Sequence, residues 1–151
     1  MNSEAKKLEM RDTKYGNPHG LPHKNAQTTC EDMAKLCSVC LKIPLFLKVV
    51  GTEFYRFKVE YEKSKKRKAL VEWENTNKLL RRKGFIGIKT GITVTAGPCL
   101  ASAYQFHGKT YIVILAKCNK SSRRFKETRK LLVHCLERLE YEEKLSEEEK
   151  K

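Results

Sequence analysis

The 151 residues carry 32 Lys and Arg against 18 Asp and Glu, a formal charge of +14, with 40% apolar and 33% charged residues. That length suits one domain and is short for two, and an apolar fraction a little under the usual ~45 to 50% excludes disorder throughout. The longest apolar run, Tyr111 to Ala116, falls far below the ~20 residues that span a bilayer, so no membrane segment is expected.

Met1 to Lys7 has no apolar core, hence no cleavable secretory signal, and as written the chain is expected to stay in the cytoplasm where it is made. Thr28-Thr29-Cys30-Glu31 has the spacing of a capping box and predicts a helix start. Met33, Leu36, Cys37, Cys40 and Leu41 continue it as one apolar stripe, and Pro44 limits its length. The alternating, aromatic Phe54 to Val59 reads as a strand. The basic run Lys63 to Lys68 separates it from Ala69 to Trp73, giving a hairpin with a basic tip.

Three strands follow, Phe85 to Val94, Leu100 to Phe106 and Lys109 to Cys118, the last two joined by the tight-turn dipeptide His107-Gly108. Ser121 or Ser122 caps a final helix whose Phe125, Thr128, Leu131, Leu132, Cys135, Leu136 and Leu139 form an apolar face for the sheet. Residues 1–139 are expected as the folded unit and 140–151 as a charged tail. Residues 137–151 carry a net charge of −3, which leaves +17 on the rest, and no internal repeat is visible.

Six cysteines, at 30, 37, 40, 99, 118 and 135, are expected as free thiols, because a chain of this size without a secretory signal does not need a disulfide framework. Cys37-Ser38-Val39-Cys40 has redox or zinc spacing, and His19 and His23 could complete four ligands. The pair lies in a helix stripe with no second Cys pair, so it reads as core and no metal is expected.

The most informative segment is Gly87-Ile88-Lys89-Thr90-Gly91-Ile92-Thr93-Val94-Thr95-Ala96-Gly97-Pro98-Cys99. Lys-Thr-Gly on a strand is one of three signatures of penicillin-binding proteins and serine β-lactamases. Asn17-Pro18-His19-Gly20-Leu21, Asp32-Met33-Ala34-Lys35-Leu36 and Asn75-Thr76-Asn77-Lys78-Leu79-Leu80 precede it in order. Together these blocks resemble the D-alanyl-D-alanine carboxypeptidase family of low-molecular-mass penicillin-binding proteins, from about Met1 to about Leu136. The resemblance implies a mixed α+β fold (α/β in the broad sense) of the β-lactamase and transpeptidase type. An antiparallel sheet with covering helices would form the C-terminal half of a catalytic domain, an incomplete domain.

In that family a Ser-x-x-Lys serine attacks the penultimate carbonyl of a peptide ending in D-Ala-D-Ala, and a Ser-x-Asn element assists proton transfer. By resemblance, Lys89 supplies positive charge beside the nucleophile, the Thr90 hydroxyl hydrogen-bonds the terminal carboxylate, and Gly91 lets substrate backbone approach the strand. The backbone amide of Ile92 matches the oxyanion position, although an aromatic residue, His or Thr is usual there. Arg124 matches an arginine that meets the substrate carboxylate near the start of the last helix, with Arg123 as its rival. These types suit the chemistry: a carboxylate needs donors and a cation, an extended peptide pairs with an edge strand, and an oxyanion needs preorganised amides.

Ser3-Glu4-Ala5-Lys6 fits Ser-x-x-Lys literally but aligns with a helix downstream of the family's nucleophile, and no Ser-x-Asn triplet occurs. The chain alone is therefore expected not to form an acyl-enzyme. Its implied partners are a peptide with a free C-terminal D-Ala and, in trans, the missing N-terminal half. No cofactor is implied, and family members are typically exported. The alternative is a basic protein that binds nucleic acid or another acidic surface through its +17 charge. The Lys63 to Lys68 run occupies a surface hairpin in the family, so a solvated loop is favoured over a nucleic-acid site.

Overall fold

Asp32 explains how the first third of the chain is tied down. The computed structural model describes the backbone of residues 1–61 and 64–148 and the side chains of residues 1–60 and 69–142. After the short helix α1 (Asn2–Lys7), α2 (Cys30–Cys40) is capped by Thr29, whose hydroxyl accepts from the Asp32 amide at 3.2 Å. The cap thus sits one residue beyond the expected Thr28 box, and the acid three residues on does not reach back. Its carboxylate is buried, 2% exposed, and accepts from the Thr13 hydroxyl at 2.7 Å, the Asp12 amide at 3.0 Å and Lys35 Nζ at 3.4 Å. Next to this anchor Lys14 and Gln27 exchange backbone hydrogen bonds of 2.9 and 3.0 Å. Both ends of the loop between them are therefore pinned.

Pro44 ends the reach of α2 and also starts α3 (Pro44–Gly51), a helix not anticipated above. Proline suits a first helical turn because its missing N–H has no intrahelical partner there anyway. Strands β1 (Phe54–Tyr61) and β2 (Ser64–Glu74) form a separate antiparallel hairpin, with Phe54 opposite Glu74 and Glu60 opposite Lys68. The expected basic tip is thus largely strand: residues 64–68 belong to β2, and Lys63 lies outside the described residues. A 3-10 turn, Lys78–Arg81, leads to the main sheet.

That sheet is antiparallel with order β3-β4-β5, formed by β3 (Phe85–Thr93), β4 (Gly97–Phe106) and β5 (Lys109–Leu115). His107 and Gly108 both have positive φ, 47° and 73°, as a two-residue turn matched to strand twist requires. Strand β5 ends at Leu115, short of the expected Cys118, and Lys117 at φ 53° lies outside strand geometry. Ala101, Ala103, Ile112 and Ile114 share one face, and together with Ile88 they join the core cluster that includes Cys37 and Leu41 of the α2 segment and Phe46 of α3. Leu100, Ser102, Val113 and Leu115 alternate onto the opposite face. The last helix, α4 (Arg123–Glu148), packs along β4 and β5. It runs through residues 140–148, so the segment expected as a tail is helical to Glu148, with an Arg138–Glu142 ion pair of 3.0 Å one turn apart. Among the described residues no helix is long and apolar enough to cross a membrane.

Burial pushes the Asp32 carboxyl up, but the donors from Thr13, Asp12 and Lys35 outweigh it and hold the group below the ordinary carboxylate range. Its contribution to stability is complete above the unfolded-state pKa of about 3.9, declines as pH falls below it, and is gone once pH has dropped through the lower folded-state value. Asp32→Asn should therefore lower the urea midpoint at pH 7. The gap from wild type should narrow steadily below about pH 4; a gap independent of pH would show that the charge does not matter.

Candidate active site

Strand β3 is an edge of its sheet, so alternate backbone groups along it face away from β4. Beside that edge opens a cleft of about 830 Å³, and all five residues singled out by resemblance, Lys89, Thr90, Gly91, Ile92 and Arg124, line it. The far wall is the pinned loop, through His19, Leu21 and His23, while Thr76 and the Thr93 to Gly97 turn close the ends. Among the described lining residues none is a carboxylate or a serine. The cleft therefore presents Lys89 and Arg124 with no acid among its described walls.

Thr90 is 6% exposed, and its hydroxyl lies 2.5 Å from that of Thr76. Lys89 is exposed and its Nζ donates to the Thr90 carbonyl. Ile92 turns its side chain outward, 58% exposed. Arg124 and Arg123 differ sharply: Arg123 is exposed, whereas Arg124 is 7% exposed and its Nη1 donates to Gly91 O at 3.1 Å and Cys99 O at 3.3 Å. Its Cζ sits 5.0 Å from the Phe125 ring centroid, and the buried Nε has no partner among the described residues. Within α4, fully buried Thr128 donates to the backbone carbonyl of Arg124 at 2.8 Å.

Residue-level reading of the sequence assigned no role to Thr76 or to the loop wall, although both lie in blocks that carried the resemblance. Asn17 builds that wall by accepting from the Gly20 amide and donating to Leu21 O, each at 2.9 Å, with Gly20 at φ +78°. Asn75 Nδ2 donates to Val50 O at 3.2 Å and Thr52 O at 3.0 Å, which ties Thr76 to α3. Asn-x-x-Gly and Asn-Thr-Asn are recognisable turn chemistry, but what they touch is not written in them.

Ser3 sits on α1 and is not part of the cleft. Cys37 and Cys40 lie at the C-terminal end of α2, and burial, with Cys40 beside it, pushes the Cys37 thiol up to about 11, so it is a protonated core group. All six cysteines are free. Among the described residues no three His, Cys, Asp or Glu side chains converge as a metal site would require.

Residues 1–118 match the D-alanyl-D-alanine carboxypeptidase family. The chain belongs to that family. It is 32% identical over 135 residues to the D-alanyl-D-alanine carboxypeptidase DacF of Bacillus subtilis (strain 168), covering 87% of this chain and 33% of that protein. It is 33% identical over 113 residues to the D-alanyl-D-alanine carboxypeptidase of Streptomyces sp. (strain K15), covering 74% and 38%. Among solved structures, the Streptomyces K15 DD-transpeptidase superposes with a TM-score of 0.79 at 30% identity, over 87% of this chain and 50% of that one. Penicillin-binding protein D2 from Listeria monocytogenes, in its cefotaxime-bound form, does so with a TM-score of 0.70 at 30% identity, over 87% and 51%. The chain thus spans a third to a half of the length of these relatives.

The two glycines of Gly87-Ile88-Lys89-Thr90-Gly91 have different jobs. A Cβ on Gly87, at φ 138°, would lie 2.8 Å from Val50 Cγ2, where α3 meets β3; one on Gly91 meets nothing within 4 Å and projects into open space. Gly87→Ala should cost on the order of 2 kcal/mol through strain and overpacking. Gly91→Ala should stay within about 0.5 kcal/mol of wild type. Thermal unfolding of both variants checks this; equal losses would show that Gly91 too is needed by the fold.

Proposed function

We propose that this chain forms the substrate-aligning part of a serine-type D-Ala-D-Ala carboxypeptidase, recognising the free C-terminal carboxylate of a peptidoglycan peptide. The observation that carries the reading is the edge strand with Lys89, Thr90 and Gly91 beside a buried arginine, in a cleft with no acid among its described lining residues. The peptide lies extended along β3, pairing with its outward backbone groups, and open space above Gly91 admits its main chain. Thr90 donates to the terminal carboxylate while Arg124 supplies positive charge at the same end. Lys89 stands nearer the scissile carbonyl, and the Ile92 amide donates to the oxyanion as it forms.

Acyl transfer also needs a nucleophile with a base within reach. In this proposal the serine and its lysine come from sequence outside these 151 residues, in cis or in trans. The face they dock on includes the free edge of β5, whose Tyr111 to Leu115 are apolar and half-buried.

Two measurements test the proposal. Incubated alone with a fluorescent penicillin, the chain should show no covalent label and should release no D-Ala from a peptide ending in D-Ala-D-Ala; a stoichiometric adduct would place a nucleophile within it. In binding assays, a peptide with a free C-terminus should be preferred to its amide by roughly tenfold or more, the size of one charge-assisted hydrogen bond at ~1.5 to 3 kcal/mol. Thr90→Val should abolish most of that preference. Arg124→Lys, which keeps the charge but loses the planar fork holding Gly91 and Cys99, should reduce it. Binding that ignores the terminal carboxylate and collapses with added salt would instead favour a general anion-binding protein.

A further inference from the structure

Thr76 reaches the cleft from the connection between β2 and β3, and its hydroxyl is 2.5 Å from the Thr90 hydroxyl, with either atom able to donate. We propose that Thr76 is a positioning residue for carboxylate recognition: by donating to Thr90 it turns the Thr90 proton toward the bound carboxylate. The inference rests on the carboxylate reading above and deepens it.

A threonine hydroxyl has one proton and two lone pairs. Two hydroxyls at this separation share one proton between them, so the pair has two states. If Thr90 donates to Thr76, Thr90 has no proton left and presents only lone pairs to the cleft, which repel an anion. If Thr76 donates, the Thr90 proton is free and the chain Thr76 to Thr90 to carboxylate runs in one direction, each bond polarising the next. A carboxylate therefore selects the second state, and the donated bond that orients and polarises the Thr90 hydroxyl in it exists only if residue 76 carries a hydroxyl.

The surrounding structure holds Thr76 in place for this. On one side Asn75 donates to two carbonyls, Val50 O and Thr52 O, and its own Oδ1 accepts from the Asn77 amide at 2.9 Å. On the other side Asn77, 1% exposed, accepts from the Leu79 amide at 3.2 Å and caps the 3-10 turn. Thr90 is buried in β3, whereas Thr76 is exposed to water. The Thr90 oxygen is thus held in the strand, and water can satisfy the remaining lone pair of Thr76.

The test titrates N-acetyl-D-Ala-D-Ala and its C-terminal amide into the ¹⁵N-labelled chain, following amide shifts in the wild type, Thr76→Val, Thr76→Ser, Thr90→Val and the Val/Val double variant. Thr76→Val should weaken binding of the acid by about three- to tenfold, one hydrogen bond's worth, and leave the amide unchanged. Thr76→Ser should restore the acid to within about twofold. In the Thr90→Val background, Thr76→Val should add nothing, because the relay is already broken. If Thr76→Val perturbs the spectrum beyond the cleft, Thr76→Ala serves as the hydroxyl-free variant. An unchanged acid preference in the hydroxyl-free variant overturns the proposal. So does an equal loss with and without the Thr90 hydroxyl, which would mean that Thr76 acts by direct contact or packing. A wild type that does not prefer the acid overturns the carboxylate reading itself, and this inference with it; the wild-type arm alone separates that failure from the others.

Discussion

The cleft side of the sheet depends on one guanidinium. Pro98 lies opposite Ile92 in the β3-β4 ladder and brings no N–H to it. At the neighbouring pair, Gly91 and Cys99, Arg124 reaches across from α4 and donates to both carbonyls. A side chain from a helix thus ties together two strands where the backbone runs short of donors. The cost is a charge that is 7% exposed, with carbonyl dipoles rather than a carboxylate as its described hydrogen-bond partners. Burying a cation without an anion is unfavourable. An anionic group entering the cleft relieves that imbalance, so the same arginine that closes the ladder is the source of the carboxylate preference proposed above.

The other walls are held by buried polar side chains of the same kind. Asp32 gathers Asp12, Thr13 and Lys35, and so fixes the base of the loop that carries His19 and His23. Asn75 and Asn77 fix Thr76 from either side. In each case a short polar side chain satisfies backbone groups of an irregular segment that no ladder can reach. Such anchors let a loop serve as a rigid wall, and the apolar core beneath, around Ile88, Ala103 and Cys37, holds the strand they face.

How much of this was legible followed from range. Alternation and turn chemistry placed β3, β4 and β5 within a few residues, because a period of two and the His107-Gly108 turn are local signals. The strand-edge residues Lys89 to Ile92 and the inward Arg124 were reached by resemblance. The helix α3 was missed because Pro44 was read only as a stop, when in a first turn it is also a start. The cap of α2 slipped by one since Thr28 and Thr29 are both competent; the buried contacts of Asp32 decided between them. Residues 140–151 read as a tail because they have no apolar stripe, yet the helix continues to Glu148, helped by the turn-spaced Arg138–Glu142 pair. The Thr76–Thr90 contact was out of reach because neither residue is unusual alone, and only the fold brings positions 14 residues apart to 2.5 Å.

The two edges of the sheet face different tasks. Strand β3 is short of hydrogen bonds beside a cationic cleft, an arrangement suited to a polar, extended ligand. Strand β5 is apolar from Tyr111 to Leu115 on both faces, which α2 and α4 cover, and its outer edge has no partner strand among the described residues. Recognition and bond breaking can be divided along this line. Contacts to the terminal carboxylate lie away from the reacting carbonyl, and they accelerate a reaction only when their binding energy is used to hold that carbonyl against a nucleophile. In the proposed reading, Thr90, Arg124 and the β3 edge supply the holding. In the function proposed above, that grip is converted into rate by a surface that docks on the open edge of β5 and brings the serine to Lys89.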